Sequence, residues 1–276
     1  MKKIVIIYHK FCLDGFGGAW AAWRKFGNKA TYIGMEHKSP APGGLKGKDV
    51  YMIDFSYKEQ VIKKMLSEVK SLTIIDHHVS AEKVVKSLKN HLYAIDHSGA
   101  VLAWKYFHPN KKVPKLLAYI EDGDLWKFRL KNAKELIAFL ITQSLDFKNW
   151  NKLYKDFESA DVRKEFVKRG VVIINYESKV IQKAIMTADL VKFEGYKVMA
   201  SNSAFLISEI GHALVNKTPP IGIIYSISGG SVKVSLRSNG KVDVSKIAVK
   251  YGGGGHKAAS GFVFKLEDNF PWQKIK

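Results

Sequence analysis

The chain has 276 residues, with 45 Lys or Arg against 25 Asp or Glu and a formal net charge of +20. Hydrophobic residues at 46% and charged residues at 25% exclude global disorder, and no apolar run approaches the roughly 18 residues a membrane span needs. A single cysteine, Cys12, excludes an intramolecular disulfide framework and fits a reducing, cytoplasmic setting.

The chain opens basic and then apolar, like a signal peptide. His9 and Asp14 follow at once and no small-residue cleavage site appears, so Lys3–Tyr8 reads as a buried strand. A glycine-rich turn at Asp14–Gly18 leads into a helical pattern over Ala19–Phe26. Strands are expected at Ala30–Met35, Asp49–Asp54 and Leu72–Asp76, a loop at Pro40–Gly47, and helices at Tyr57–Val69 and Ala81–Leu88. This alternation predicts a parallel sheet covered on both faces. Helical patterns then dominate: Gly99–Phe107, Pro114–Ile120, Lys134–Leu140 and the long Arg163–Met186. From Leu190 the pattern turns β-like (Leu190–Phe193, Lys197–Ala200, Ile221–Ser226, Ser231–Leu236), with helical Ala204–Val215 among the strands. The expected fold is α/β: an N-terminal parallel-sheet domain (1–150), a helical linker (151–189) and a smaller C-terminal α/β domain (190–276).

The expected strands deliver acids and imidazoles to one edge. The first runs into His9 and Asp14, another into Asp54, and a third into Asp76, His77 and His78. In an open α/β sheet, ligands bind outside the carboxyl ends of the strands. One Asp after a strand is usually a turn former or helix cap. Three polar groups ending one hydrophobic strand would be costly to bury without a ligand. Glu121-Asp122-Gly123-Asp124 adds further acids after an apolar helix. Carboxylate with imidazole suits Mn²⁺, Mg²⁺, Fe²⁺ or Zn²⁺, with Mn²⁺ favoured by oxygen-rich sites. Two such ions about 3.5–4 Å apart would activate water and clamp phosphoryl oxygens.

The second half carries a different device. Tyr251–His256 reads YGGGGH, whose glycines leave backbone N–H groups open to an anion. Upstream, Arg237-Ser238 offers a forked cation and a hydroxyl suited to phosphate. Trp20, Trp23, Trp104 and Trp126 read as core side chains rather than base-stacking platforms. The positive charge favours phosphate-bearing partners, but all but five of the basic residues are Lys, so composition alone does not decide this.

Asp76-His77-His78 together with the GGGH of Gly253–His256 resembles the DHH family of phosphoesterases with its DHHA1-type C-terminal domain. The resemblance runs through nearly the whole chain in order. Family II inorganic pyrophosphatases share the first signature but not the second. The resemblance implies a binuclear centre of two ions, Mn²⁺ before Mg²⁺ or another divalent ion. His9 and Asp14 would bind one ion, His77 and Asp124 the other, with Asp54 between them. Asp122 is the alternative to Asp124. His78 would stand beside the scissile phosphate as stabiliser or acid, with Asp76 orienting the histidines. Arg237, Ser238, Gly252, Gly253, Gly254, Gly255 and His256 would hold substrate phosphate.

The first motif departs from the family pattern. Cys12 and Phe16 stand where an acid is common, and His9 is one residue further from Asp14. That arrangement resembles a branch of nano-RNase and cyclic-nucleotide-phosphodiesterase-like proteins. It leaves one ion a ligand short unless Cys12 or water completes it; alone, Cys12 reads as a small buried hydrophobe. The expected activity is hydrolysis of short RNA or DNA oligonucleotides or dinucleotides to 5′-mononucleotides. The rival activities are cyclic-dinucleotide or 3′-phosphonucleotide hydrolysis. A rival of another class is an RNA- or nucleotide-binding module with an impaired metal site. No membrane partner is expected, and a homodimer stays open.

Overall fold

A computed structural model describes residues 2–36 and 39–275. The chain divides into two compact units, Met1–Ile174 and Asn175–Lys276.

In the first unit, β1 (Ile4–His9), α1 (Leu13–Phe26), β2 (Ala30–Met35), β3 (Asp49–Ile53), α2 (Glu59–Glu68), β4 (Ser71–Asp76), α3 (Glu82–Lys86), β5 (His91–Tyr93) and α4 (Gly99–Phe107) follow in order. The five strands form one parallel sheet in the order β2-β1-β3-β4-β5. Their near-continuous apolar runs are explained by burial on both faces. Val5, Ile7, Val50, Met52, Leu72 and Ile74 pack one way, towards Ile62 and Met65 of α2 and Val85 of α3. The alternate residues Ile6, Ile53 and Ile75 pack the other way, into a core built with α1 and α4. The period of two along each strand thus fixes which helix it meets.

The rest of this unit is helical: α5 (Lys115–Asp124), α6 (Ala133–Ile141), α7 (Phe147–Glu158) and the first part of α8 (Ala160–Met186). The acids expected to follow an apolar helix lie instead within the last turn of α5. Trp150, Leu153, Phe157 and Phe166 from α7 and α8 join the core of Ile6, Ile53 and Ile75. Much of the stretch read as a linker is therefore core of the first unit. Further along α8, Ile181, Ala184 and Ile185 pack in the second unit.

The second unit contains β6 (Asp189–Phe193), β7 (Tyr196–Asn202), α9 (Ile207–Lys217), β8 (Ile221–Ser228), β9 (Ser231–Ser238), α10 (Val244–Lys250), β10 (Gly254–Gly255), β11 (Ala259–Lys265) and β12 (Gln273–Lys274). These strands form a mixed sheet in the order β10-β11-β9-β8-β7-β6-β12, in which β7 and β8 are parallel. Helix α10 and strand β11 carry short, weakly periodic sequences, which is why chain pattern alone does not mark them. Among the described residues, no helix is long and apolar enough to cross a membrane.

Helix α8 crosses close over α6 at Gly170, where a Cβ would lie 1.9 Å from the carbonyl oxygen of Glu135. Backbone cannot yield there as a flexible side chain can. Gly170→Ala is expected to destabilise the protein by at least the roughly 1–3 kcal/mol typical of overpacking, read as a lower denaturant midpoint.

Candidate metal centre

The register of the parallel sheet assembles the site. Tyr8 pairs with Ile53 and Ile53 with Ile75, so His9, Asp54 and Asp76 emerge at one level of the carboxyl edge. Strands β1 and β3 are also where this strand order reverses, the position at which doubly wound sheets bind ligands. Asp54 leaves β3 with φ 64°, a left-handed turn that Asp tolerates better than most residues. Asp14, Asp54, Asp76 and His77 are all buried.

Two groups of donor atoms share Asp54. Its Oδ2 lies 3.4 Å from His9 Nδ1 and its Oδ1 lies 3.3 Å from His77 Nε2. On the His9 side, ligand atoms of His9, Cys12 and Asp54 all lie within 4.8 Å of one another. On the other side, His77 Nε2 is 3.8 Å from Asp14 Oδ2 and 3.6 Å from Asp124 Oδ2. Asp54, Asp76, His77 and His78 form a further set within the same 4.8 Å limit.

Asp76 folds back on its own chain. Its Oδ1 accepts the backbone N–H groups of His77 and His78 and pairs with His78 Nδ1 at 2.7 Å. Its Oδ2 is buried with no hydrogen-bond partner. That orphaned acceptor, on a residue grouped with Asp54, His77 and His78, fits a site for divalent cations better than a satisfied polar core.

The electrostatics agree. Burial, then the charges of Asp124 and Asp54, push the Asp14 carboxyl well above its usual range. Burial and Asp54 likewise raise Asp124. Burial would raise Asp54 too, but hydrogen bonds with His77 and His9 outweigh it and hold this carboxyl low. Burial opposes charge on His77, yet Asp54, Asp14 and Asp124 together raise its pKa to about 10.

Helix α4 contributes a part that chain patterns did not flag. Gly99 N–H donates to Asp14 Oδ2 at 2.6 Å and Ala100 N–H to Asp14 Oδ1 at 3.0 Å. The first amides of a helix, with the positive end of its dipole, therefore hold one acid in place. A Cβ on Gly99 would lie 2.7 Å from Asp54 Cβ, so only glycine lets the helix come this near. Glu121 anchors the approach by accepting from Ser98 N–H at 2.9 Å and pairing with His97 Nδ1 at 3.0 Å. Glycine beside a serine after a strand was the available signal, but it is common to most helix starts.

Other candidates separate. Asp122 accepts the N–H groups of Arg129 and Leu130 through its two oxygens, pinning the turn after α5 rather than joining the centre. Phe16 is buried against Phe147 and Trp150, with centroids 5.1 and 4.9 Å away. Trp20 and Trp104 are core, as expected, whereas Trp126 is exposed two residues beyond Asp124, in a left-handed turn.

In the second unit, Ala259 pairs with Arg237 across β11 and β9, and His256 N–H donates to Ala259 O, so Arg237 and His256 share one end of the sheet. The Arg237 guanidinium is tied to Ser208 Oγ and Leu236 O, both at 3.0 Å. Ser238 spends its hydroxyl on its own turn, donating to Val242 O and accepting from Gly240 N–H. The N–H groups of Gly252 and Gly253 close the end of α10 on Val249 O and Ala248 O. Those two amides are thus committed to the chain itself. A Cβ on Gly253 would meet Gly261 O at 2.0 Å, so close strand packing requires this glycine.

A family model described as the DHHA1 domain matches residues 175–272. Residues 175–272 therefore carry a DHHA1 domain. It is 29% identical over 297 residues to an uncharacterized protein, R106, of Acanthamoeba polyphaga mimivirus, covering 98% of this chain and 70% of that one. A stretch of 55 residues is 49% identical to the oligoribonuclease NrnB of Bacillus subtilis (strain 168), 20% of this chain and 14% of NrnB. The fold resembles RecJ of Thermus thermophilus, solved in complex with Mn²⁺, with a TM-score of 0.55 and 13% identity. That likeness covers 96% of this chain and 50% of RecJ.

In the first unit the donor atoms sort differently from the pairing drawn from sequence. Asp14 lies with His77 and Asp124, not with His9, because it sits in the first turn of α1 facing the start of α4. The partner of His9 and Asp54 is Cys12.

The raised pKa of His77 makes metal binding a proton exchange. Its imidazolium stabilises the metal-free protein fully below its ordinary value near 6.5, and that contribution fades as pH rises towards about 10. Coordination through Nε2 needs the neutral ring. Divalent-ion binding at neutral pH is therefore expected to release protons and to tighten from about pH 6 to 9. Calorimetry in buffers of different ionisation enthalpy measures both effects.

Proposed function

We propose that this protein is a DHH/DHHA1 phosphoesterase, a metal-dependent enzyme that hydrolyses short oligonucleotides or dinucleotides to 5′-mononucleotides. The reading is carried by Asp54, one buried carboxylate facing His9 with one oxygen and His77 with the other. Such a shared acid between two donor sets suits a pair of divalent cations. Bound there, Mn²⁺ or a similar ion would supply Lewis acidity, acidifying the attacking water and offsetting charge on the phosphoryl oxygens. The name of NrnB and the Mn²⁺ held by RecJ support substrate class and metal.

His9, Asp14, Asp54, His77 and Asp124 serve as ligands in this proposal. Pairing of His78 with Asp76 through Nδ1 makes Nε2 the atom that gives a proton to the departing oxygen, and Asp76 sets the ring's orientation. Arg237 and His256 hold a substrate phosphate, with Gly252–Gly255 shaping the loop beside them. A single cysteine and the +20 charge fit a protein that meets polyanions in a reducing compartment.

The two histidines of the motif separate by experiment. His77→Ala is expected to lose metal binding and activity together. His78→Ala is expected to keep the metals while kcat falls roughly 10²–10⁴-fold. The assay follows Mn²⁺-dependent mononucleotide release from two- to ten-nucleotide RNA and DNA, with cyclic dinucleotides and 3′,5′-bisphosphonucleosides as competing substrates. Full cleavage by His77→Ala, or no divalent-ion dependence, would sink the proposal. Metal binding without any turnover would favour a nucleotide-binding module instead.

A further inference from the structure

We infer that Cys12 is a thiolate ligand of the cation held by His9 and Asp54, making that half of the centre a mixed nitrogen, sulfur and oxygen site. This rests on the reading of the carboxyl edge as a metal centre. It changes the kind of ion that half selects.

The donor atoms of His9, Cys12 and Asp54 lie within 4.8 Å of one another, the spacing of ligands around one ion. No carboxylate replaces the sulfur on this side. Asp14 is drawn to His77 and to the N-terminus of α4, and Phe16 is turned into the aromatic core. Without Cys12, the His9 side has one imidazole and a share of Asp54.

Hydrophobic packing does not account for the cysteine. It occupies the N-cap of α1, where Ser, Thr, Asp or Asn is favoured and a sulfur facing Gly15 N–H is a weak substitute, and burial with the charges of Asp54, Asp14 and Asp124 raises its thiol pKa, as in a site that cations would relieve. It is only half-buried and belongs to none of the hydrophobic clusters. The turn that presents it places Phe11 at φ 60° with the ring 74% exposed. A non-glycine residue is disfavoured in that region, and Phe11 is in none of the hydrophobic clusters that could offset it.

On binding, the Cys12 thiol gives its proton to solvent as the sulfur–metal bond forms. A thiolate beside an imidazole shifts preference from Mn²⁺ and Mg²⁺ towards softer ions such as Zn²⁺, Fe²⁺ and Co²⁺. The all-oxygen and nitrogen set around His77 keeps the harder preference, so the two halves would differ in the ion they prefer.

Cys12 is the sole cysteine, so every thiolate signal belongs to it. The test titrates the metal-free full-length protein with Co²⁺. Wild type is expected to develop thiolate-to-cobalt charge-transfer absorption in the near ultraviolet, and bound Co²⁺ should slow alkylation by iodoacetamide. Cys12→Ser and Cys12→Asp should lose the band, while equilibrium dialysis still finds Co²⁺ on the His77 side. Cys12→Asp should also shift the competition between Co²⁺ and Mn²⁺ towards Mn²⁺. Co²⁺ bound by wild type with no near-ultraviolet band and no protection from alkylation overturns the ligand but leaves the metal centre standing. No Co²⁺ binding by wild type overturns both. The wild-type band and alkylation rate decide the matter even if a variant fails to fold.

Discussion

The first unit is organised around mutual repulsion among carboxylates. Asp14, Asp54 and Asp76 are buried at the end of an apolar sheet, with Asp124 beside them. Like charges this close in a low-dielectric setting cannot all stay ionised without compensating positive charge. In the protein alone that charge comes from the His77 imidazolium and the amide end of α4. Divalent cations provide far more of it. The same repulsion that makes the edge unfavourable alone makes it a strong cation trap.

Rigid elements hold the trap in shape. His9 and Asp54 are fixed by strand register, Asp14 by two amides of α4, and Asp76 by amides of its own turn. Glu121, one turn before Asp124 on α5, holds the loop that leads into α4. The two acids of α5 closest to the centre thus act at different levels, one on the backbone and one on the donor set. Asp122 between them serves the turn that follows. Three acids within four residues take three different tasks because α5 turns them about 100° apart per residue.

Charge and chemistry act at different ranges. The +20 charge is carried mostly by lysines, while the carboxyl edge is locally negative. A field of that sign draws polyanions towards the protein and is screened over about a Debye length. It raises encounter rates with polyanions without deciding where they bind. That choice belongs to the acids and imidazoles, whose separations of a few ångströms no surface charge could impose.

The sequence by itself determined the parallel-sheet unit, its strand-end acids and the two signatures, because apolar runs and short motifs are local properties. Asp76-His77-His78 and Gly253–His256 are legible in the chain alone. Tertiary structure decided which donors face each other. It set Asp14 with His77, Cys12 with His9, Asp124 in the centre and Asp122 outside it, and it brought Gly99 against Asp54 from a distant segment. It also showed that the Gly252 and Gly253 amides close α10 and that Ser238 closes its own turn. Each of these depends on register, helix phase and backbone hydrogen bonding between distant segments, which pattern along one chain does not encode.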